Sequence, residues 1–480
     1  MRIRRDKTAL RRVELSRPLR LARDLGLLRP EHSVFDYGCG HGSDVRILKS
    51  LGFTAAGWDP AHAKDAERLP ADVVNLGFVV NVIEDQEERI DALLAAWRLS
   101  RSVLIVAARL QSDVEEVTGE HFSDGVVTRA GTFQHFYTQS ELQGWLEGIL
   151  EEPAVAVAPG IFALFRGSEE RERFRASRFH ARIAAPRLAA SSALFAEHRE
   201  TLGPLLDFFV ERGRLPNAGE LSAESSINAV FGSLRRAFAI VRKATKSEEW
   251  DQIAIQREEE LLLYLAHSQF NRPPRFTELG TQLQGDIRAF YGNYTAACEA
   301  ALMVLKQLSD QDLIDAVCRN VKIGKQTPQA VYMHANAVAH LPGVLRLYEA
   351  CARGLVGEVE GANIVKLHRY RPQVSYLCYP DFDVHAHPAL KRPIVVNLDE
   401  ARASIRDYGE SRNPPILHRK EEFLLPDDPA RTKFARLTRQ EERAGLYEDS
   451  SKIGFLREWN LALAAKGLEV RGHTLRRIRG

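Results

Sequence analysis

Short apolar runs of strand length, separated by stretches with apolar residues at helical spacing, fill the first third of the chain. Val34 and Phe35 end one run, and 53–58, 72–76, 102–108 and 161–165 form others, with the fourth strand ending at Asn75. Between them 44–51 and 87–99 read as helices, and Thr138 or Ser140 caps another through Trp145. Strands alternating with helices predict βαβ units and a parallel sheet. From Ser16 an amphipathic helix carries Leu19, Leu21, Ala22 and Leu25, with Gly26 near its end. Between Asp59 and the strand at 72 lie only twelve residues, 60–71, too few for a helix and a strand. The sheet is therefore expected to lack a full third strand, and Asp65 and Glu67 read as solvent-facing loop charges.

Beyond about Gly167 the pattern changes. The charge-rich 169–187 reads as a linker or bridging helix. Residues 202–211, 227–242 and 248–267 read as helices, 271–275 breaks the pattern, and 284–317 gives two more. Residues 327–353 continue the helical theme, interrupted by Pro342. The last part differs: 366–380 mixes cations and tyrosines at strand-like alternation, and 413–420 adds a second basic cluster. These shifts divide the chain into a basic N-terminal helix or arm (1–30), an α/β domain (31–167), a helical domain (168–355) and a basic α+β region (356–480).

Composition agrees with several folded domains: 480 residues, 45% hydrophobic and 27% charged. The net charge of +2 says nothing of polyanions by itself, so distribution decides. Residues 1–30 are rich in arginine, which suits either a solvated helix face or a phosphate-contacting arm. Five scattered cysteines, an odd number, suit reduced thiols in the cytoplasm. No run reaches the roughly 20 apolar residues of a membrane span, so a membrane partner is not expected.

The candidate chemistry begins at 33–42, where a strand delivers Asp36 into Gly38, Gly40 and Gly42 as D-x-G-x-G-x-G. Glycines allow a sharp turn and close approach of a ligand. A dinucleotide site would want G-x-G-x-x-G, and Ser43 stands where its third glycine would fall. The pattern points instead to S-adenosyl-L-methionine as cofactor, with Asp36 at its amino-acid end and Asp59, at the tip of strand two, on the ribose hydroxyls. Asn75 faces the same crevice and is a cofactor-binding and catalytic candidate, with His135 and Tyr137 on a later loop as further catalytic candidates. Asn75-Leu76-Gly77-Phe78 keeps the Asn and the aromatic of an amino-methylation tetrad but neither proline. Cys39 lies inside the glycine loop, misplaced for a nucleophile. Lys366, His368, Arg369, Arg371, His418, Arg419 and Lys420 are the candidate substrate-binding residues, since cations interleaved with rings suit nucleic acid. Half-buried strand tyrosines beside a solvated face are the alternative. Asp381, Asp383, His385 and His387 alternate like metal ligands, but prolines bracket them and the loop reading is preferred, so no metal is expected.

On these residues 1–167 resembles the class I S-adenosylmethionine-dependent methyltransferases, which implies a Rossmann-like sheet with a shortened third-strand region. The phrases at 35–42, 56–60, 72–85, 374–383 and 415–421 make the whole chain similar to the bacterial DNA phosphorothioation-associated putative methyltransferases. That resemblance implies a nucleic-acid partner, DNA or RNA with base or ribose open, and components of a phosphorothioate modification system as further partners. It also carries Asp36, Gly38, Gly40 and Asp59 over as cofactor contacts. The rival reading is a nucleic-acid-binding defence or regulatory component that binds the cofactor and transfers nothing.

Overall fold

The structure, a computed structural model, describes residues 3–113, 119–181, 183, 186, 198–270, 272–449 and 453–478. Arg2, Arg187, Asn271 and residues 114–118 of the loop after the 102–108 strand lie outside them.

The chain forms two compact units. One comprises Met1–Gly167, Asp315–Leu341 and Tyr348–Gly480; the other comprises Ser168–Ile314 with Pro342–Leu347. In the first unit, α1 (Arg17–Asp24) leads into β1 (Ser33–Tyr37), α2 (Ser43–Ser50), β2 (Thr54–Trp58), β3 (Ala71–Gly77), α3 (Gln86–Leu99) and β4 (Ser100–Ala107). A small sheet of β5 (Glu120–Phe122), β6 (Gly125–Val127) and β7 (Phe133–Gln134) precedes α4 (Gln139–Leu150), β8 (Ala154–Ala158) and β9 (Ile161–Phe165). The main sheet has the order β2-β1-β3-β4-β9-β8, parallel except for β9, which runs antiparallel to both β4 and β8. This is a Rossmann-like α/β sheet of mostly parallel strands that ends at β2.

Its central strands are buried on both faces, which is why they read as continuous apolar runs. On one face α1 inserts Leu19 and Ala22; on the other, Leu93 and Ala96 of α3 and Leu142 and Leu146 of α4 join Phe35, Val74, Leu76, Leu104 and Phe162. Thr138 caps α4 in a reciprocal capping box with Glu141. Strand β3 continues two residues past the expected end at Asn75 and closes at Gly77.

Among the described residues no strand lies outside β2. Residues 60–70 instead wrap that edge: Asp59 bridges to Ala63, the Trp58 indole donates to the Lys64 carbonyl at 3.2 Å, and the Arg68 guanidinium stacks 3.7 Å from the Trp58 ring. A sheet edge left with open hydrogen-bonding groups invites mispairing, and this loop covers it.

The helical unit contains α5 (Ser168–Ser177), α6 (Arg199–Arg212), α7 (Glu224–Phe231), α8 (Leu234–Ala244), α9 (Ser247–Phe270), α10 (Thr281–Tyr291) and α11 (Tyr294–Lys306). The stretch read as one helix over 227–242 is two, because Gly232 at φ 78 ends α7 and Ser233 caps α8. Phe209, Phe238 and Trp250 form an aromatic core.

After α12 (Gln311–Asn320) the chain returns to the first unit as an antiparallel sheet. Its order is β10 (Lys325–Gln326), β11 (Ala330–His334), β12 (Ala362–His368), β13 (Gln373–Cys378), β14 (Arg392–Asn397) and β15 (Arg402–Ile405). Residues 330–334 were expected to be helical; Val331 and Tyr332 instead alternate across β11, and the helix α13 begins only after Pro342, at Gly343–Val356. Last come α14 (Ala430–Arg443), α15 (Leu456–Ala465) and a hairpin, β16 (Leu468–Arg471) with β17 (Thr474–Arg477). Gly357, at φ 74, lets Glu358 donate from its amide to the Val157 carbonyl, and Glu360 receives both Arg17 and Arg20. A Cβ on Gly357 would lie 2.3 Å from the backbone of 157–158. No described helix is long and apolar enough to cross a membrane.

Gly38 has φ 86, and a Cβ there would fall 2.4 Å from Val79 Cγ2. Gly38→Ala should lower stability by about 1–3 kcal/mol through the left-handed backbone and the clash combined. Adding Val79→Ala should relieve only the steric share, measured by denaturant unfolding followed in the N-terminal sheet.

Candidate functional site

The ends of β1, β2 and β3 bring Asp36, the glycine loop, Asp59 and Asn75 together. Asp36 and Asn75 stand in register on neighbouring strands, and the Asn75 side-chain amide donates to Asp36 Oδ1 at 2.8 Å. Both are almost fully buried. Burial pushes the Asp36 carboxyl up to about 7; Asp44 raises it further, while the Asn75 amide and Arg12 act the other way. Asn75 Oδ1 is buried without a hydrogen-bond partner. Such orphaned acceptors are rare and mark places where a donor is missing.

Gly38, Gly40 and Gly42 all have positive φ. The amides of Gly38 and Cys39 donate to the Trp58 carbonyl, and Gly40 donates to Asp59 Oδ2 at 3.0 Å. Asp59 Oδ1 accepts from the amides of Ala61 and His62, each at 2.9 Å. Asp59 thus splints the loop after β2 to the glycine loop, and with about four acceptor sites on a carboxylate it keeps capacity for a further donor. Burial and the nearby carboxylates Asp36 and Asp59 hold the Cys39 thiol up at about 12, so it stays protonated.

The basic N-terminal arm covers this loop, a placement the sequence did not announce. Residues 5–16 run across it: Arg5 pairs with Glu84 and Glu88, the Asp6 carbonyl meets His62 Nε2 at 3.1 Å, and Ala9 lies where a Gly40 Cβ would come within 2.9 Å. The Arg12 amide donates to Ser43 Oγ and the Ser16 amide to Asp44 Oδ1, fastening the arm to the first turn of α2. The arm lacks helical or strand periodicity over 5–15, so no pattern announced it.

On the far side of the crevice, Phe78 has φ 61, a strained conformation for an aromatic residue at the mouth of a parallel sheet. The next loop holds Asn81, buried, its side-chain amide donating to Gln134 and its Oδ1 without a partner. The Asn81 carbonyl accepts from the His135 amide. His135 Nδ1 meets the Asp124 carbonyl at 2.5 Å, its Nε2 lies 3.8 Å from Glu141, and its ring packs edge-on to Tyr137. Burial raises the Tyr137 phenol to about 12, opposed by Arg89, which also pairs with Asp124. Asn75 thus lies in β3, two residues before its end, whereas His135 and Tyr137 follow β7 of the small sheet and are embedded in a packed loop. Asn81 was missed because it sits within the apolar run Val79 to Ile83.

The candidate substrate-binding residues meet different fates. Arg369 is buried and pairs with Asp315 at 2.6 Å. Lys420 is buried, donates to the carbonyls of Phe382 and His385, and lies 3.8 Å from the Phe434 ring centroid; burial lowers its pKa to about 8. His418 is mostly buried, its Nε2 on the Ile453 carbonyl, and burial lowers it to about 3. Arg419 pairs with Glu442 over the Tyr447 ring, and His368 meets Ser375. Lys366 is half-buried and Arg371 exposed. Tyr376 and Tyr379 are buried, Tyr376 bonding to Glu349, so the tyrosines of β13 and its end belong to the core and offer no stacking platform. For Arg369, His418 and Lys420 the expectation of a cationic, ring-studded surface is therefore corrected: their desolvation is compensated by internal acceptors, which ties them to the fold. His387, from the alternating Asp/His segment, turns to Glu441 at 2.7 Å. Among the described residues no group of three or more His, Cys, Asp or Glu could hold a metal ion.

No protein-family model matches the chain, and no curated protein matches it. Similar solved structures include a Burkholderia thailandensis 1,6-didemethyltoxoflavin-N1-methyltransferase with bound 1,6-didemethyltoxoflavin and S-adenosylhomocysteine. It is 14% identical over 31% of this chain and 75% of that one, with a TM-score of 0.24. An O-methyltransferase family protein from the same organism is 16% identical over 31% of this chain and 55% of its own, with a TM-score of 0.22.

The raised Asp36 pKa makes a signed prediction. The unfolded carboxyl ionises near its ordinary 3.8 while the folded one stays protonated to about 7, so this group's contribution to stability falls as pH rises across that window and is level above it. Asp36→Asn should remove that fall, leaving the variant more stable relative to wild type at pH 7 than at pH 4, by up to about 4 kcal/mol. Denaturant midpoints across pH 4–8 check it.

Proposed function

We propose that the chain is an S-adenosylmethionine-dependent methyltransferase acting on nucleic acid. The observation that carries the cofactor reading is the buried Asp36–Asn75 pair with its unpartnered Asn75 Oδ1, at the mouth of a three-glycine loop. An ammonium donor would satisfy that oxygen and stabilise the ionised form of Asp36 at once. The residues present fit this cofactor: Asp36 and Asn75 at its amino-acid end, Gly38, Gly40 and Gly42 under its backbone-proximal atoms, and the remaining acceptor capacity of Asp59 for a ribose. Bound there, the cofactor supplies a sulfonium methyl group for in-line displacement by an acceptor lone pair.

This chain's residues then act mainly by positioning, which can supply most of the rate in such a transfer. Asn75 cannot take a proton and orients only. Tyr137, with its phenol held protonated, can donate a hydrogen bond but not accept a proton at neutral pH. His135 keeps both ring nitrogens beside acceptors, so its role in acceptor positioning would run through the 120–141 loop. The nucleic-acid acceptor, base or ribose, rests on the resemblance to phosphorothioation-associated proteins and on the basic character of the C-terminal region. That resemblance also supports a place beside a phosphorothioate modification system.

Incubation with tritiated cofactor, total DNA and total RNA should label one of them; label in neither, with cofactor binding intact, overturns the transferase reading and favours a ligand-binding component. Asp59→Ala should weaken cofactor binding by about 1.5–3 kcal/mol, through loss of a charged acceptor and of the Gly40 splint. Calorimetry showing unchanged affinity would remove Asp59 from the site.

A further inference from the structure

The acidic and basic residues of α14 and of the β16–β17 hairpin are sorted in space. Helix α14 holds five cations, Arg431, Lys433, Arg436, Arg439 and Arg443, against two carboxylates. Its buried stripe is Phe434, Leu437, Thr438 and Glu441. Positions 432, 436, 439 and 443 form the row directly opposite, by the helical period. Both carboxylates are withdrawn from that row: Glu441 is fully buried against His387 and Tyr447, and Glu442 is taken by Arg419. What faces water is Thr432, Arg436, Arg439 and Arg443.

Beside this row stands the β16–β17 hairpin. The Leu475 amide donates to Gln440 Oε1 at 2.9 Å, and the His473 ring stacks on Phe434. The hairpin brings Arg471, Arg476 and Arg477 against a single carboxylate, Glu469, which Arg471 already engages at 2.8 Å. Among the described residues Arg436, Arg439, Arg443, Arg476 and Arg477 have no ion-pair partner. Like charges at this helical spacing repel one another and are destabilising, so the row works against the fold that carries it. An ordinary solvated helix face intersperses both signs; this one does not.

Resting on the nucleic-acid reading above, we propose that the outward row of α14 and the adjoining β16–β17 hairpin form the surface that binds the phosphate backbone of the nucleic acid. Guanidinium groups bind phosphate oxygens in pairs, and Arg436 to Arg443 spans about 10 Å of helix axis, enough to meet two successive phosphates. An anionic lipid surface is the poorer fit, because a helix lying on a membrane turns its large apolar residues outward, and those of α14, Phe434 and Leu437, are buried. The surface shares no residue with the candidate substrate-binding positions at 366–371 and 418–420.

The test compares wild type with the triple variant Arg436→Ala, Arg439→Ala, Arg443→Ala on labelled 20-mers of duplex DNA, single-stranded DNA and RNA, by fluorescence anisotropy between 50 and 300 mM salt. These side chains lie on the row opposite the buried stripe and repel one another, so the variant should melt no lower than wild type and keep its cofactor affinity. Its affinity for the preferred strand should fall about tenfold or more at the lowest salt, and the slope of log K against log salt should flatten by about 2, near 0.9 for each lost duplex phosphate contact. Arg436→Lys, Arg439→Lys, Arg443→Lys should keep most of the slope. A wild type that binds with a steep slope and a triple variant that matches it overturn this surface while leaving the nucleic-acid acceptor standing. A wild type that binds none of the three overturns the acceptor reading itself. Loss of binding to phosphatidylserine vesicles without loss on nucleic acid also overturns the proposal, in favour of a membrane surface.

Discussion

A carboxyl group taken out of water at the end of a central strand needs compensation, and much of the N-terminal unit is arranged around supplying it to Asp36. The cost of burying an ionised carboxylate is several kcal/mol, and the chain meets it in part by letting the proton stay and in part by the Asn75 amide. Because Asn75 is committed to Asp36 from the neighbouring strand, the register of β1 and β3 is fixed at the point where it matters. The three glycines then turn away from Asp36, and Asp59 fastens the turn from the side of β2. The arm over 5–16 closes the arrangement from above, with Arg12 lending its field to the same carboxyl.

What could be read in the sequence follows from how many faces an element buries. Strands β1, β3, β4 and β9 are covered on both sides, so they stand out as apolar runs bounded by glycine and acidic residues. The absence of a strand beyond β2 was visible as simple arithmetic on residues 60–71, though not the way Trp58 and Arg68 use that loop to seal the edge. Strand β8, an alternation of alanine and valine, carries too little hydrophobic contrast to declare itself. Strand β11 was taken for helix because the stretch from Pro328 to Pro342 has no glycine or proline between them. In the site, Asp36 and Asn75 were legible as strand ends, whereas Asn81 and the arm act through loops whose course only tertiary packing decides.

The C-terminal region teaches the converse. A basic cluster in sequence says nothing about whether its charges reach water: Lys420 caps the carbonyls of a loop, Arg369 is locked to Asp315, and His418 is packed among aromatic rings. Helix α14 does hold outward cations, because the helical period separates them from their own carboxylates. Periodicity is therefore as necessary for reading charge as for reading hydrophobicity.

The order in which the chain leaves the ribosome gives Glu360 a significance beyond a surface ion pair. Arg17 and Arg20 emerge some 340 residues before their shared partner. At a synthesis rate of about 5–20 residues per second, this leaves the N-terminal sheet waiting roughly 17–70 s for the segment that packs against β8. Within that interval residues 168–314 are made, as an excursion between two parts of one compact unit. During that interval the segments that later pack on α1 and the end of β8 do not yet exist. The contact that completes the unit is therefore long-range in sequence, and it depends on Gly357, where a side chain would collide with the backbone of 157–158.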